Sequence, residues 1–485
     1  MERCGTPTVY RGAGSKEPTA FENLAVELSH RSYRILTFHH TNMRKTLLTL
    51  YAGFALCLTA GAQVRVAPLD IKERTLANGL KVVTMQDNSS PTVAIHVWYN
   101  VGGKNDPQGK SGFAHMFEHM MFKSTKNMPN EKMDRLTEDV GGFNNASTWD
   151  DFTNYYEVVP SNYLETLLWA EAERMSNLNV DDTNFASERD VVKEEYRQSV
   201  LADPYGRFNE FISGLSYTTH PYKRGVIGNL DQLNAATSAD ARAFHNLYYR
   251  PDNAYLIVVG DFDEKQLDSW VDKYFAPLKH DDSKIPRVTE VEPERTKESR
   301  QATHGPNVPF PAVAITYLGP RSDDADIAAL RIADTILSGG ESSRLYQSLV
   351  YKQNIAQEAS FNLDNRVDRG LLYFMAIASE KHTPEELEKA LLAELKLIQY
   401  SGVTAKELEK AKNQLITDTI RSRQNNDGKA IAIERAIAYQ HDPKAVNFDI
   451  QKLQAVTAAD VQRVMKKFFT DTNRTVIYYT QGDEK

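Results

Sequence analysis

Three shortages in the sequence each exclude a class of protein. Among 485 residues there are only two cysteines, Cys4 and Cys57, which excludes a disulfide framework and a zinc site built from cysteine. No run reaches the roughly 18 consecutive apolar residues of a membrane-spanning helix, which argues against an integral membrane protein. Positive charge is also scarce: 57 basic residues face 65 acidic ones, whereas a general nucleic-acid binder usually has a basic excess.

What is present is the composition of a globular chain. Hydrophobic residues make up 41% of the sequence and charged residues 25%, which is ordinary for folded domains. At roughly 150 residues per domain, the length predicts two to four domains or subdomains.

Residues 43–62 have the layout of a secretory signal peptide. Met43-Arg44-Lys45 gives a positive start, a mostly apolar stretch follows, and Ala60-Gly61-Ala62 fits signal-peptidase cleavage. A buried N-terminal helix is the alternative. We predict that residues 1–42 are a mis-called extension, and that the mature chain is exported to a bacterial periplasm. A cysteine-free mature chain suits such an oxidising compartment.

Two segments of the sequence recur at a spacing of 220 residues. Residues 235–259 match 455–479: each has a Thr and an Asp that form an N-cap signal, apolar positions at helical spacing, and a final apolar run typical of a strand. The β-branched stretch 91–98 matches 311–317 at the same spacing. Two matches in the same order indicate two homologous domains from an internal duplication.

The charged stretch 279–306 is typical of a solvated linker and divides the chain. We therefore predict a first domain over 68–278 and a second over 307–485. In each half strands come first, helices lie between and a strand comes last, which predicts the α+β class.

The motif His115-Met-Phe-Glu118-His119 lies in a predicted helix over 112–123. On a helix, residues at i, i+3 and i+4 share a face, so both imidazoles and the carboxylate point the same way. Two neutral imidazoles can bind Zn²⁺, and the carboxylate is placed to accept a proton from water that the metal activates. A catalytic zinc site needs a third protein ligand. Two surface histidines beside a glutamate are the alternative, but the apolar neighbours on this helix predict partial burial.

His-x-x-Glu-His is the inverted zinc motif. With it, the sequence resembles the M16 (pitrilysin-like) metallopeptidases over nearly all of 68–485, a family that includes mitochondrial processing peptidase and insulin-degrading enzyme. The resemblance implies two homologous α/β-sandwich-like domains of the LuxS/MPP-like metallohydrolase fold. It also implies a zinc-dependent endopeptidase with one Zn²⁺ per chain.

The resemblance extends to residues 188–195, which match the family pattern Glu-Arg-x-Val-Val-x-x-Glu. It implies that Glu195 is the third zinc ligand and that Glu188 is a carboxylate orienting a ligand. Glu194 is the rival ligand, but a helix turns it roughly 100° away from the Glu188 face.

Residues 141–155 resemble the family's edge strand beside the metal, where a peptide substrate pairs as an added strand. The resemblance implies that Asn145 and Ala146 hold the scissile peptide through main-chain hydrogen bonds, which supply affinity with little sequence preference. Taken alone, this stretch is equally typical of a polar turn followed by a strand.

The second half lacks the metal motif. Leu330, Ala333 and Asp334 align with the positions of His115, Glu118 and His119. In many family members this half contributes an Arg and a Tyr to the catalytic chamber, but Val350 and Gln357 stand at the matching positions. With a small shift in the alignment, Arg344 and Tyr346, which lie close by, would be the candidates for this pair.

Without that pair, the oxyanion loses a positive charge and a hydroxyl donor. We therefore predict the zinc-bearing subunit of a heterodimer whose zinc-less M16 partner supplies an Arg/Tyr pair, with a homodimer as the alternative. Two rival functions remain: a non-catalytic core or assembly subunit, and a module that binds peptides without cutting them.

Overall fold

The structure is a computed structural model that describes residues 65–279 and 282–482. The predicted extension over 1–42 and the predicted signal peptide over 43–62 lie outside the described residues. Within the described part, no helix combines the length and the apolar character that crossing a membrane requires.

A six-stranded mixed sheet organises the first half. Its order is β1-β2-β6-β3-β5-β4. The strands are β1 Lys72–Thr75, β2 Lys81–Gln86, β3 Thr92–Tyr99, β4 Phe143–Thr148, β5 Thr153–Pro160 and β6 Ala254–Gly260. β3 is buried along nearly its whole length, because helices cover both faces of the sheet at its centre. β4 is an edge strand that pairs only with β5 in this sheet.

The helices of the first half lie mainly on one face, the inner face, of this sheet. They are α1 Phe113–Met120, α2 Lys132–Glu138, α3 Leu164–Asn177, α4 Asp182–Tyr196, α5 Gly206–Gly214, α6 Leu230–Ala235, α7 Ser238–Tyr248 and α8 Glu264–Tyr274. Alternate residues of β3, such as Val97 and Tyr99, pack against Phe117 of α1 and Leu168 of α3 in one continuous core.

The second half repeats the plan with a five-stranded sheet of order β7-β11-β8-β10-β9. Its strands are β7 Ser299–Gly305, β8 Ala312–Leu318, β9 Ala356–Asp364, β10 Leu371–Ala378 and β11 Arg474–Gln481. Its helices are α9 Ile327–Ser338, α10 Pro384–Ser401, α11 Ala405–Ser422, α12 Asn426–Gln440, α13 Asp449–Ala455 and α14 Ala458–Phe468. The α+β class is confirmed.

The prediction of a linker over 279–306 is wrong at its C-terminal end, because Ser299–Gly305 form β7. This strand pairs in parallel with β11 at the edge of the second sheet, and most of its side chains are exposed or half-buried. Such a polar edge strand lacks the apolar alternation that marks a half-buried strand in a sequence.

The predicted helix starts in the two repeats are confirmed. Thr237 and Asp240 form a reciprocal capping box at α7, and Thr457 and Asp460 form the same box at α14. Each helix then leads to the closing strand of its half, β6 or β11.

Helices α5 and α12 occupy equivalent positions in the two repeats, because they begin 220 residues apart. Each of them packs against the sheet of the other half. Phe208 of α5 stacks on Tyr479 of the second sheet, with ring centroids 5.2 Å apart. Ile433 and Ile437 of α12 pack on the outer face of the first sheet, beside Trp98. Each half therefore buries apolar surface of the other half's sheet, and burial of a large apolar side chain stabilises by about 1.5–3 kcal/mol.

His96 of β3 is a fully buried polar group at this contact. Its Nδ1 lies 2.9 Å from Glu434 Oε2, and its Nε2 lies 3.3 Å from Asp427 Oδ1, both on α12. Burial acts to lower the pKa of His96, but hydrogen bonds and charge from Asp427 and Glu434 outweigh it and raise the pKa to about 8. The protonated imidazole therefore links the two halves.

The His96 contact predicts a pH-dependent stability. Because the folded-state pKa of His96 is about 8 and the unfolded value is about 6.5, its contribution is complete below pH ~6.5 and is lost as the pH rises through ~8. The contribution is about 2 kcal/mol. Urea unfolding at pH 6 and pH 9 should show the wild-type free energy of unfolding falling by about this amount more than that of His96→Gln.

Asn154→Ala is the matched control, because Asn154 Nδ2 donates to the same Glu434 carboxylate at 3.1 Å but does not titrate. This variant should lose stability and keep the wild-type pH dependence. An equal pH dependence in wild type and His96→Gln would contradict the assigned role of His96.

Candidate metal centre

Helix α1, which carries the His-x-x-Glu-His motif, is fixed at its N-terminal cap, Gly112, by close backbone packing. Gly112 has φ of 93°, and a Cβ there would lie 2.8 Å from the carbonyl oxygen of Ile227. The carboxylate of Asp106 accepts hydrogen bonds from the backbone N–H groups of Gly112 at 2.6 Å and Ala114 at 2.9 Å. Burial raises the pKa of Asp106 to about 7 against these hydrogen bonds.

The motif side chains share one face of α1, as the helical spacing predicts. Phe117 and Met120 point into the core and are fully buried. His115 and His119 lie together with ring centroids 4.9 Å apart and planes nearly perpendicular. His115 is buried and His119 is half-buried. Burial, with a smaller effect of His119, lowers the pKa of His115 to about 4, which favours the neutral imidazole that metals bind.

Helix α4 brings Glu195 to the two histidines. Glu195 Oε2 lies 3.3 Å from His119 Nε2 and 3.6 Å from His115 Nε2. Among the described residues, these three form the one group of three or more His, Cys, Asp or Glu side chains whose ligand atoms all lie within 4.8 Å of one another. The structure thus joins residues that are 76 positions apart in the sequence at a single point.

These distances fit a metal ion. Bonds of about 2.0–2.1 Å to a tetrahedral centre put neighbouring ligand atoms about 3.3–3.4 Å apart, close to both nitrogen–oxygen separations. Two imidazoles and one carboxylate are also the donor types that catalytic zinc uses when it keeps a fourth position open. The residues present therefore fit a zinc ion.

The neighbouring glutamates of α4 take different positions. Glu194 is exposed and accepts hydrogen bonds from Arg197 and Gln198 on the outer side of the helix, so it does not join the cluster. Glu188 is buried, with Oε2 3.8 Å from Nδ1 of His119 and Oε1 2.6 Å from Lys123 Nζ. The negative charge of Glu188 therefore lies close to the imidazole of His119.

Glu118 lies between the histidines and the edge strand. Its side chain is half-buried and hydrogen-bonds to Thr148 at the end of β4. Burial raises the pKa of the Glu118 carboxyl, and the Thr148 contact opposes this. A carboxylate at this point can accept a proton from a water molecule bound between α1 and β4.

Asn145 and Ala146 lie in β4, the edge strand whose Thr148 contacts Glu118. In β4, Ala146 is buried opposite Tyr155 of β5, and its backbone N–H donates to Asn145 Oδ1 at 2.8 Å. Asn145 is exposed on the opposite face of the strand. The free edge of β4 offers backbone groups with which an extended peptide can pair.

In the second half, the aligned positions carry no comparable cluster among the described residues. Leu330 and Ala333 of α9 are fully buried in the core, and burial raises the pKa of Asp334 to about 7. Val350 packs against the same core, and Gln357 is exposed at the start of β9.

The nearby alternative, Arg344, is already paired. Its guanidinium donates to both carboxylate oxygens of Glu407, at 2.7 and 2.9 Å, and to the carbonyl of Gly402. Tyr346 is half-buried at the start of a π-helical turn, Tyr346–Lys352. Arg344 is therefore held by α11 and its preceding loop.

Two features of the site had little signal in the sequence. Asp106 anchors α1 from a loop, and Gly228 packs its backbone on Gly112 although the two are far apart in sequence. In the sequence, Asp106 is one polar residue among several in a loop, and nothing there marks it as the residue that binds the start of α1. Nothing in the sequence indicates that Gly112 and Gly228 contact each other.

The sequence of the chain is similar to those of known proteins over most of its length. Residues 81–228 match the family model described as Insulinase (Peptidase family M16), and residues 235–415 match Peptidase M16 inactive domain. The Zinc protease PqqE of Helicobacter pylori is 32% identical over 83% of this chain and 91% of its own length. The Probable mitochondrial-processing peptidase subunit beta of Arabidopsis thaliana is 25% identical over 82% of this chain and 76% of its own.

A solved structure is also similar. The crystal structure of a protease from Helicobacter pylori superposes with a TM-score of 0.82 and 31% identity. The similarity covers 85% of this chain and 99% of that chain.

The cluster predicts the outcome of removing each ligand. His115→Ala, His119→Ala and Glu195→Gln should each reduce bound zinc by at least about tenfold, because each removes one donor of three. Elemental analysis of dialysed protein measures the metal content per chain. Glu194→Gln is the matched control, one residue from Glu195, and should keep the wild-type content. Zinc retained by Glu195→Gln and lost by Glu194→Gln would reverse the assignment.

Proposed function

The chain belongs to the M16 family of metallopeptidases, and we propose that it is a zinc-dependent endopeptidase. The proposal is carried by one observation: the ligand atoms of His115, His119 and Glu195 converge beside Glu118 at the edge of β4. The relatives named as zinc proteases support the same chemistry.

His115, His119 and Glu195 would hold one Zn²⁺. Bound there, the ion supplies a Lewis acid that lowers the pKa of water and polarises a carbonyl group. Glu188 keeps His119 oriented through its charge, 3.8 Å from Nδ1. Burial of α1 limits the freedom of both imidazoles.

Glu118 acts as the general base and then as the general acid. Its carboxylate accepts a proton from the attacking water and returns it to the nitrogen of the leaving amine.

The substrate binds as an added strand on β4. Ala146 N–H, now bonded to the side chain of Asn145, would donate instead to a peptide carbonyl, and Asn145 would be released to contact the peptide. Main-chain pairing aligns the scissile bond with Glu118 on the inner face of the sheet.

Replacing the general base should separate binding of metal from turnover. Glu118→Gln should keep one zinc per chain and lose cleavage of a quenched fluorescent peptide by at least about a hundredfold, as expected for a general base. Glu385→Gln, an exposed change on the second half, should leave both measurements unchanged. Turnover retained by Glu118→Gln would remove Glu118 from this role.

We also propose that the mature chain acts outside the cytoplasm and with a partner subunit. The signal-like pattern over 43–62 supports export to the periplasm. Val350 and Gln357 supply no guanidinium or phenol, and Arg344 is held by Glu407. A zinc-less M16 subunit that closes over β4 would supply the missing Arg/Tyr pair, and a second copy of the chain is the alternative.

The partner proposal predicts weak activity of the isolated chain. Adding a zinc-less M16 chain should raise the cleavage rate by roughly 10²–10³-fold, the value of one oxyanion donor. Sedimentation analysis of the mixture identifies the complex that forms. Full-rate cleavage by the chain alone, as a homodimer, would contradict the heterodimer. Zinc binding without turnover even in the complex would instead support peptide capture without hydrolysis.

A further inference from the structure

Trp149 is a large aromatic residue that is left half-exposed at the end of the substrate edge. It follows β4 directly, and 53% of its surface is accessible. Indole rings usually bury most of their surface when nothing binds them. An exposed ring next to a free strand edge is placed to contact a peptide that pairs with that edge.

The residue is exposed but rigidly held. Its backbone N–H donates to Phe152 O at 2.8 Å, and its carbonyl accepts from Gly103 N–H at 3.0 Å. Its indole Nε1 donates to Ser147 Oγ at 3.1 Å, and its ring lies 6.2 Å from that of Phe152. A Cβ on Gly102 would lie 2.2 Å from the Trp149 carbonyl oxygen, so the backbone of Gly102 packs closely against the turn at Trp149. A fixed exposed ring binds at a lower entropic cost than a mobile one.

The alternation of β4 decides which side of a bound peptide Trp149 meets. Ser147 Oγ donates to Asn154 Oδ1 at 2.6 Å, and Asn154 contacts Glu434 of α12, so Ser147 lies on the outer face of the sheet. Thr148 lies on the inner face, where it contacts Glu118. Because Nε1 reaches back to Ser147, the indole of Trp149 covers the outer face.

A peptide added to β4 obeys the same alternation. Its residues opposite Ala146 and Thr148 face Glu118, and the residues between them face outward. An outward side chain opposite Ser147 lies within the diagonal reach of an aromatic ring at Trp149. The ring thus lies beside the peptide residue that pairs with Ser147, on the face away from His115 and His119.

We propose that Trp149 is a specificity-determining residue that receives an apolar side chain from the substrate, one residue removed from the side chains that face Glu118. This inference rests on the proposed function and deepens it. The preferred substrates are extended peptides with a large aliphatic or aromatic residue at one outward position next to the cleaved bond.

The test compares two sets of peptides on three variants. Each set scans the three positions on either side of the cleaved bond, with Leu in one set and Ser in the other. Wild type should prefer Leu over Ser by about tenfold in kcat/KM at one outward position, the size expected for one aromatic contact. Trp149→Ala should remove that preference through a higher KM for the Leu peptide, and Trp149→Phe should restore most of it.

Tyr400→Ala is the control for loss of an exposed ring, since Tyr400 is exposed on α10 of the second half. It should keep the wild-type preference. Equal losses on Leu and Ser peptides with Trp149→Ala would assign Trp149 a structural role and overturn the proposal. If Trp149→Ala instead dissociates the complex with the partner subunit and leaves the preference for Leu over Ser unchanged, Trp149 is a partner contact. That result would also overturn the proposal.

A binding experiment separates this inference from the proposed function. Fluorescence anisotropy with labelled Leu and Ser peptides on Glu118→Gln protein requires no hydrolysis. Tighter binding of the Leu peptide that disappears in the Glu118→Gln, Trp149→Ala double variant supports the inference even if the chain proves unable to cleave. Equal binding of both peptides would overturn it even if the chain is an active peptidase.

Discussion

The candidate centre depends on a backbone contact at the start of α1. Gly112 and Gly228 both have positive φ, and a Cβ on Gly228 would lie 2.6 Å from Gly112 Cα. Only two residues without side chains allow the chain to approach so closely. With Asp106 bound to the first N–H groups, this contact fixes where α1 begins and therefore where His115, Glu118 and His119 point. Because a helix is rigid, fixing its first turn also fixes the positions of side chains several residues further along.

The sequence predicted best what depends on local periodicity and chemistry. The His-x-x-Glu-His helix, the strand predicted over 91–98 and the two N-cap signals follow from spacing and side-chain type, which tertiary contacts here reinforce. The pairing of Glu195 with the histidines needed the family resemblance, because helix geometry alone cannot say which helices meet. β7 was missed since its polar side chains resemble those of a linker, and only its pairing with β11 makes it a strand.

The second half carries the same helix without the metal-ligand motif. Leu330 and Ala333 occupy the places of a histidine and a glutamate and join the core, so α9 gains apolar burial where α1 carries polar groups. Conversely, α1 keeps a half-buried carboxylate and two imidazoles at a cost in folding free energy. The two halves thus show one scaffold with and without the His-x-x-Glu-His motif.

The exchange of α5 and α12 has a consequence for how the chain folds. The outer face of the first sheet is covered by residues near Ile433, more than 330 positions after β3 begins. During synthesis the first half is therefore left with an uncovered apolar face until nearly the whole chain has emerged. Contacts of such long range slow folding and prolong exposure to aggregation. A gene cut between the halves should give two fragments that are each poorly soluble but assemble when made together.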